Sequence, residues 1–564
     1  MRPFITVEDH GYRKLMKTGC PGFYIPSKET VSHDVKKVFE ISHQCIAKML
    51  QNYDGLLSFA VDTWMSPNHK AFVAVTVHFN KDSRPIAMLL DIVKVAVSHT
   101  GINLARAFTK VIENFGIGHK ILSLTCDNAS ANDVMITELG KLDNSFPGLL
   151  NHTRCFTHIL NLIVKSILKQ FDAHKKDELE ARENGDGLIV DKEELHKAVL
   201  PVCMMLTKLC KMAFAIKNST TVLLPAWCRT LKNMKLNDRI MPLKYQSALE
   251  AITGDRNLTL CPCELNDDEW ELAEQLCNVL QIFKDATEFF SHGDATPNIV
   301  MVIPSMNHIE QHLTSNATGN QYHASIQAVL LMGKRTLDCY YDLMDQSQVY
   351  HVAIVLHPQH KLHYFRNAGW QDKKIRATCQ IVHKMYEQSY KMSRNASKEA
   401  GDDLDDSEDK VEQRKRIKIN IFDSLPALAV PKPSQLLDEL DHYLSMDPKH
   451  TPNALTWWHE QRKMYPTLSH MALDYLSVLA TAVDVEHTFS KGHVLLPYVH
   501  NCLSMQSTHA LMCVGTWSKL GYVDDEDVKG VTCQSEVEPE HEEESGFDGS
   551  DNEWDDEWDD VFIA

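Results

Sequence analysis

At 564 residues the chain is too long for one ordinary core, and at roughly 150 residues per domain it implies three or four units unless one fold is split by an insertion. An apolar content of 44% makes most of it globular; the 15 scattered cysteines lack the spacing of a secreted disulfide scaffold, and no N-terminal apolar h-region or run of ~18 uninterrupted apolar residues appears, so secretion and a membrane partner are not expected. The formal charge of −19 does not exclude nucleic acid, because 18 Asp/Glu against one Lys lie from Asp524 onward, leaving about −2 on the other 523 residues.

Residues 1–50 read as an N-terminal helical segment. From Leu56 three short-linked apolar runs, "LLSFAVDTW", "AFVAVTVHFN" and "PIAMLLDIVKVA", predict an antiparallel meander. The helical "GINLARAFTKVIENFGI", the strand "KILSLTCDN", the helical "SANDVMITELGKL" and a last strand-to-helix unit, "NHTRCFTHILNLIVKSILKQF", follow. The order β-β-β-α-β-α-β-α over 51–170 predicts a mixed sheet with helices on its faces.

Residues 171–395 change character to long amphipathic helices such as "DDEWELAEQLCNVLQIFKDATEFF", an all-α unit. The charge-rich 396–425, aromatic-free as far as Lys418, is expected to be a solvated linker, in which "RKRIK" (Arg414 to Lys418) is a low-specificity nuclear localisation motif. Residues 430–522 are globular again, and 523–564 are expected to be an acidic disordered tail whose Trp and Phe residues could meet a protein partner.

Two carboxylates stand out at strand ends. Asp62 follows the apolar "LLSFAV" and Asp127 follows "ILSLTC". If the strands are neighbours, both emerge on one sheet edge, where like charges persist best around a divalent cation. The alternative for Asp127 is a cap for the helix that follows. Glu486, in "TAVDVEHTFSKG", is a third carboxylate inside an apolar surrounding, with Asp484 beside it read as polar surface or a local cap.

The ordered set "FAVDTWMSPNHKAFVAVTVHFN", "LTCDNASANDVM", "RCFTHILNLIV", "LHPQHKLHYF", "WWHEQRKMYPTLSHMALDYLSVLATAVDVEHTFS" and "LSMQSTHALM" resembles the hAT superfamily of DNA transposases, of the kind common in fungal genomes. The resemblance implies an α/β RNase H-like catalytic fold split by a large all-α insertion domain. It maps the family's acidic triad onto Asp62, Asp127 and Glu486, holding two Mg²⁺ or Mn²⁺ for phosphodiester cleavage and strand transfer by in-line displacement. It puts Cys155 and His158 beside the active site and near DNA, together with His487. It also makes the stripe of Trp457, Trp458, Tyr465, Pro466, Leu468 and Leu476 part of a C-terminal dimerisation region, packed partly within the catalytic fold and partly against a second chain. The expected partners are DNA at transposon ends and a second copy, in the nucleus.

Three departures from the family pattern bear on activity. No zinc finger is visible, neither the usual N-terminal BED finger nor one built on Cys155 and His158; the Arg-Trp-Asn-Ser-Thr element of the insertion is not found; and His487 and His493 stand where basic residues are usual, weakening fixed positive charge at pH 7. The competing expectation is therefore an inactive or domesticated copy that only dimerises and binds.

Overall fold

The computed structural model describes residues 4–65, 71–95, 100–142, 146–171, 192–236, 245–291, 299–319, 321–391, 438–495 and 505–533. The predicted linker, its basic motif and the acidic stretch from 534 lie outside these residues.

The three apolar runs after Leu56 form β1 (Leu57–Met65), β2 (Ala71–Lys81) and β3 (Arg84–Lys94), paired antiparallel in order. A two-residue turn joins β2 to β3 with Asp82 and Ser83 both at positive φ, the turn twist that suits a hairpin. β4 (Ile121–Cys126) then pairs parallel with β1, and β5 (His152–Arg154) parallel with β4, giving one mixed sheet of order β3-β2-β1-β4-β5. All six residues of β4 are buried, as a parallel strand covered on both faces requires.

Helices α1 (His10–Met16) and α2 (Lys28–Gln51) precede the sheet; α3 (Gly101–Phe115), α4 (Ser130–Leu142) and α5 (Phe156–Leu168) alternate with its later strands in the expected order. Gly101 opens α3 where that helix crosses α4. A Cβ at this position would run into the Ala131 carbonyl and the Val134 side chain, so only glycine permits the crossing.

Residues 192–391 are helical among those described, from α6 (Lys192–Asn218) to α14 (Asp372–Met385) and a π-helical turn at Tyr386–Lys391. Part of α6, Lys197–Asn218, is long and apolar enough to cross a membrane by length and composition, yet its Val199, Val202, Cys203 and Met205 are buried against neighbouring helices. The chain ends in α15 (Glu439–Ser445), α16 (Ala454–Glu460), α17 (Leu468–Leu476), α18 (Val483–Leu495), α19 (Met505–Lys519) and α20 (Asp525–Thr532).

Two large cores result. Around the sheet, residues of α2, α3 and α4 close with Val485 and Phe489 of α18 and Cys513 and Trp517 of α19. The helical body has its own core, which takes in α5, α6 and α15–α17. Residues 439–476, grouped by the sequence reading with the second half of the sheet domain, thus pack mainly into the helical body, although α17 also touches β2 and its Asp474 accepts from the Leu56 amide ahead of β1; α18 and α19 lie against the sheet. An apolar stripe fixes that a helix is buried, not which layer buries it. A second difference lies at the acidic end: Asp525–Thr532, expected within a disordered tail, forms α20, capped by the Asp524 side chain and packed on α2 with Val531 buried.

Candidate active site

Strand pairing brings the first two carboxylates together. The parallel register runs Ser58 to Ser123, Phe59 to Leu124 and Ala60 to Thr125; continued two residues, it sets Asp62 level with Asp127 on the adjacent strand end. Both are half-buried. Asp62 Oδ1 accepts from the Thr63 amide at 2.8 Å. Asp127 Oδ1 accepts from the Ala129 amide at 3.0 Å, closing a turn ahead of α4, and from the Asn132 side-chain amide, while Oδ2 takes no part in either bond.

Glu486 arrives on the first turn of α18. Three contacts fix the segment before that helix against the parallel strands: Thr125 Oγ1 donates to the Leu479 carbonyl (3.2 Å), the Phe156 amide to the Ala480 carbonyl (2.9 Å), and the Ala482 amide to Cys155 Sγ (3.4 Å). Phe489, one turn further along α18, stacks on Trp64 at the end of β1, centroids 5.7 Å apart, and Trp64 stacks in turn on Phe72 of β2. The helix is thereby anchored on either side of the glutamate.

The electrostatics register the convergence. The Asp62 carboxyl is pushed up to about 8, first by desolvation, then by the charge of Asp127 and further by Glu486, against the Thr63 hydrogen bond. Glu486, though exposed, is raised by the protein around it, eased down by His487 and raised again by Asp127. Carboxylates whose charges disfavour ionisation of a neighbour, as Asp127 and Glu486 do for Asp62, are hard oxygen donors of the kind that suit a hard divalent cation. The oxygens of these three do not all lie within 4.8 Å of one another.

His158 is half-buried within electrostatic reach of Asp127; desolvation, and more weakly Lys165, lower its pKa, so it faces the site as a neutral imidazole. Cys155 lies beside the site, within electrostatic reach of Glu486, but is 1% exposed; its thiol is raised by burial and engaged by Thr157 and the Ala482 amide, so it holds the segment that delivers Glu486. His487 is exposed beside Glu486. Asp484 is not plain surface either: it is half-buried and its charge reaches His78, a buried histidine lowered to about 4 by desolvation.

Of the stripe assigned to dimerisation, Trp458, Tyr465, Leu468 and Leu476 are buried in this chain's own helical core, and Trp458 Nε1 donates to the Leu356 carbonyl at 2.8 Å. Trp457 is half-buried and Pro466 exposed.

The sequence reading missed Asn132, which clamps Asp127, and Arg154. Arg154 is 5% exposed, ion-paired with Asp133 at 2.7 Å and near the Asn128 side-chain oxygen, a fixed cation beside the Asp127 turn. The pattern "DNASAND" holds the signal for Asn132; a buried arginine in "HTRC" carries none without the strand pairing.

Residues 439–518 match the hAT family C-terminal dimerisation region, and residues 60–151 match the ZBED1 RNase-like domain. The chain is 25% identical over 542 residues to a protein described as a putative AC transposase from Zea mays, covering 91% of this chain and 63% of that one. It is 23% identical to a putative transcriptional regulator, tpeD, from Talaromyces stipitatus (90% and 59%), and 21% identical to the zinc finger BED domain-containing protein RICESLEEPER 1 of Oryza sativa subsp. japonica (91% and 72%). The chain thus spans less than two thirds of the length of the maize and Talaromyces relatives.

Proposed function

The chain belongs to the hAT transposase superfamily, and from that premise we propose that it is a transposase-derived nuclear protein that self-associates, binds DNA and cleaves it with divalent metal ions. The fold at its centre is read as RNase H-like, interrupted by the helical body. The observation that carries the reading is the convergence of Asp62 and Asp127 at adjacent parallel strand ends with Glu486 on the first turn of α18, three carboxylates from elements far apart in sequence, close enough that Asp127 and Glu486 both raise the Asp62 carboxyl.

In this reading the three carboxylates hold Mg²⁺ or Mn²⁺. When bound, the ions supply a Lewis acid for the phosphoryl oxygens and an activated water or 3′-hydroxyl for in-line attack. Asp62 and Asp127 work from the rigid strand ends, with Asn132 keeping the Asp127 carboxylate in one orientation. Glu486 completes the set from a helix locked by the Trp64–Phe489 stack. His158, neutral and adjacent, donates a hydrogen bond to a DNA phosphate, and Arg154 offsets the charge of the site from beneath. Self-association uses the matched C-terminal region through side chains other than the four closed in the core. The acidic terminal stretch binds a protein partner or keeps the chain soluble.

A second reading, a copy that binds DNA without cutting it, is favoured by His487 beside Glu486, where no fixed positive charge stands, and by the regulator name of the Talaromyces relative. One experiment separates them. With Mn²⁺ and DNA carrying the terminal inverted repeats of the chain's own element, the wild type nicks the strand at the repeat end and Glu486→Gln does not. Intact DNA with the wild type rejects cleavage and leaves the second reading; equal nicking by Glu486→Gln rejects the metal assignment.

A further inference from the structure

Away from the carboxylates, β3 carries a charge that the proposed chemistry does not use. Asp91 is 4% exposed. It sits at a β-bulge, since the pairing with β2 steps from Val75–Asp91 to Thr76–Leu89 and leaves Leu90 without a counterpart. Bulges re-aim side chains, and beside this one the Leu89 carbonyl accepts from Trp517 Nε1 at 2.7 Å, holding α19 against the strand. From α19, His509 and Cys513 meet Asp91. They are four residues apart, hence on one face of the helix, the spacing by which helical residues commonly chelate a metal.

The His509 Nε2 contacts Asp91 Oδ1, and Cys513 is fully buried beside them. One nitrogen, one sulfur and one carboxylate oxygen all lie within 4.8 Å of one another, the single such group among the described residues. A tetrahedral ion with bonds of about 2.0–2.3 Å needs ligand atoms separated by roughly 3.3–3.7 Å, so small side-chain movements admit one. Phe39 packs on His509 with centroids 4.8 Å apart and limits its rotation. A cavity of 210 Å³ lined by Asp91, His509, His43, Glu40, Gln44 and Asn114 opens alongside, giving an entry path and a place for a fourth ligand, water or His43.

We propose that Asp91, His509 and Cys513 form a Zn²⁺ site that clasps β3 to α19. Mixed nitrogen, sulfur and oxygen donors select a borderline cation such as Zn²⁺ over Mg²⁺ or Mn²⁺. Binding releases the thiol proton of Cys513, and any proton His509 shares with Asp91, to solvent. The ligands come from positions 91, 509 and 513, so the ion joins the first strands to the C-terminal helices. The site is independent of the carboxylate set and of whether the chain cuts DNA.

The test uses the full chain, stripped with chelator and loaded with Co²⁺. The expected result is a thiolate-to-cobalt charge-transfer band of one site per chain, bleached by Zn²⁺, absent from Cys513→Ser, weakened in His509→Ala and retained in Asp62→Asn. Zn²⁺ raises the thermal midpoint of the wild type and not of Cys513→Ser. Absence of the band, its survival in Cys513→Ser, or its loss in Asp62→Asn overturns the proposal. Should Cys513→Ser fail to fold, His509→Ala, whose side chain is partly exposed, decides: an unchanged band in it refutes the site.

Discussion

Asp62 is held at a cost. An acid whose folded pKa lies above its ordinary value keeps a proton that the unfolded chain has already lost, so stability falls as pH rises from 3.8 toward about 8. Asp62→Asn removes that loss, and its thermal midpoint should exceed the wild type's at pH 8, by about 2 kcal/mol of stability after solvent screening, with the gap closing near pH 4. Buried Asp474, also pushed to about 8 by desolvation, contributes the same slope to both proteins and cancels in the difference. Calorimetry across that range checks it; an Asn variant less stable than wild type at pH 8 contradicts the repulsion on which the site is built. A gain in stability at the expense of function is the usual signature of a strained functional carboxylate.

At the scale of elements, the strands and helices from Leu57 to Leu168 were legible because period-2 and period-3.6 patterns alternate there with clear turn residues. Asp62 and Asp127 were legible too, each a charge ending a run that could only be a buried strand. The destination of α15–α17 was not: Trp458 and Tyr465 read as core, but whose core depends on pairings hundreds of residues long. The same holds for Cys155, whose spacing to His158 suggested chemistry while its thiol serves the Ala482 amide. The structure predicts that Trp458→Ala leaves a large cavity and strands the Leu356 carbonyl, lowering stability by about 4 kcal/mol. Denaturant unfolding with light scattering at constant concentration tests this. A loss below about 1 kcal/mol with dissociation of an oligomer would instead put Trp458 at an interface.

Across the whole molecule, the sheet and the helical body have separate cores, and the segment 477–482 stitches them before α18 places Glu486. The candidate site is therefore an assembly of the entire chain, two carboxylates from one end and one from the other. Resemblance of motifs brought Glu486 into view; nothing local to "TAVDVEHTFSKG" does so, because its neighbour in space, Asp127, is 359 positions away. The most direct test of the central claim is Mn²⁺ binding to the purified full chain, followed by electron paramagnetic resonance in wild type, Asp62→Asn and Glu486→Gln. The account predicts saturable binding in the wild type, with each substitution weakening it at least about tenfold while the fold is retained. Binding that is equal in all three would contradict it.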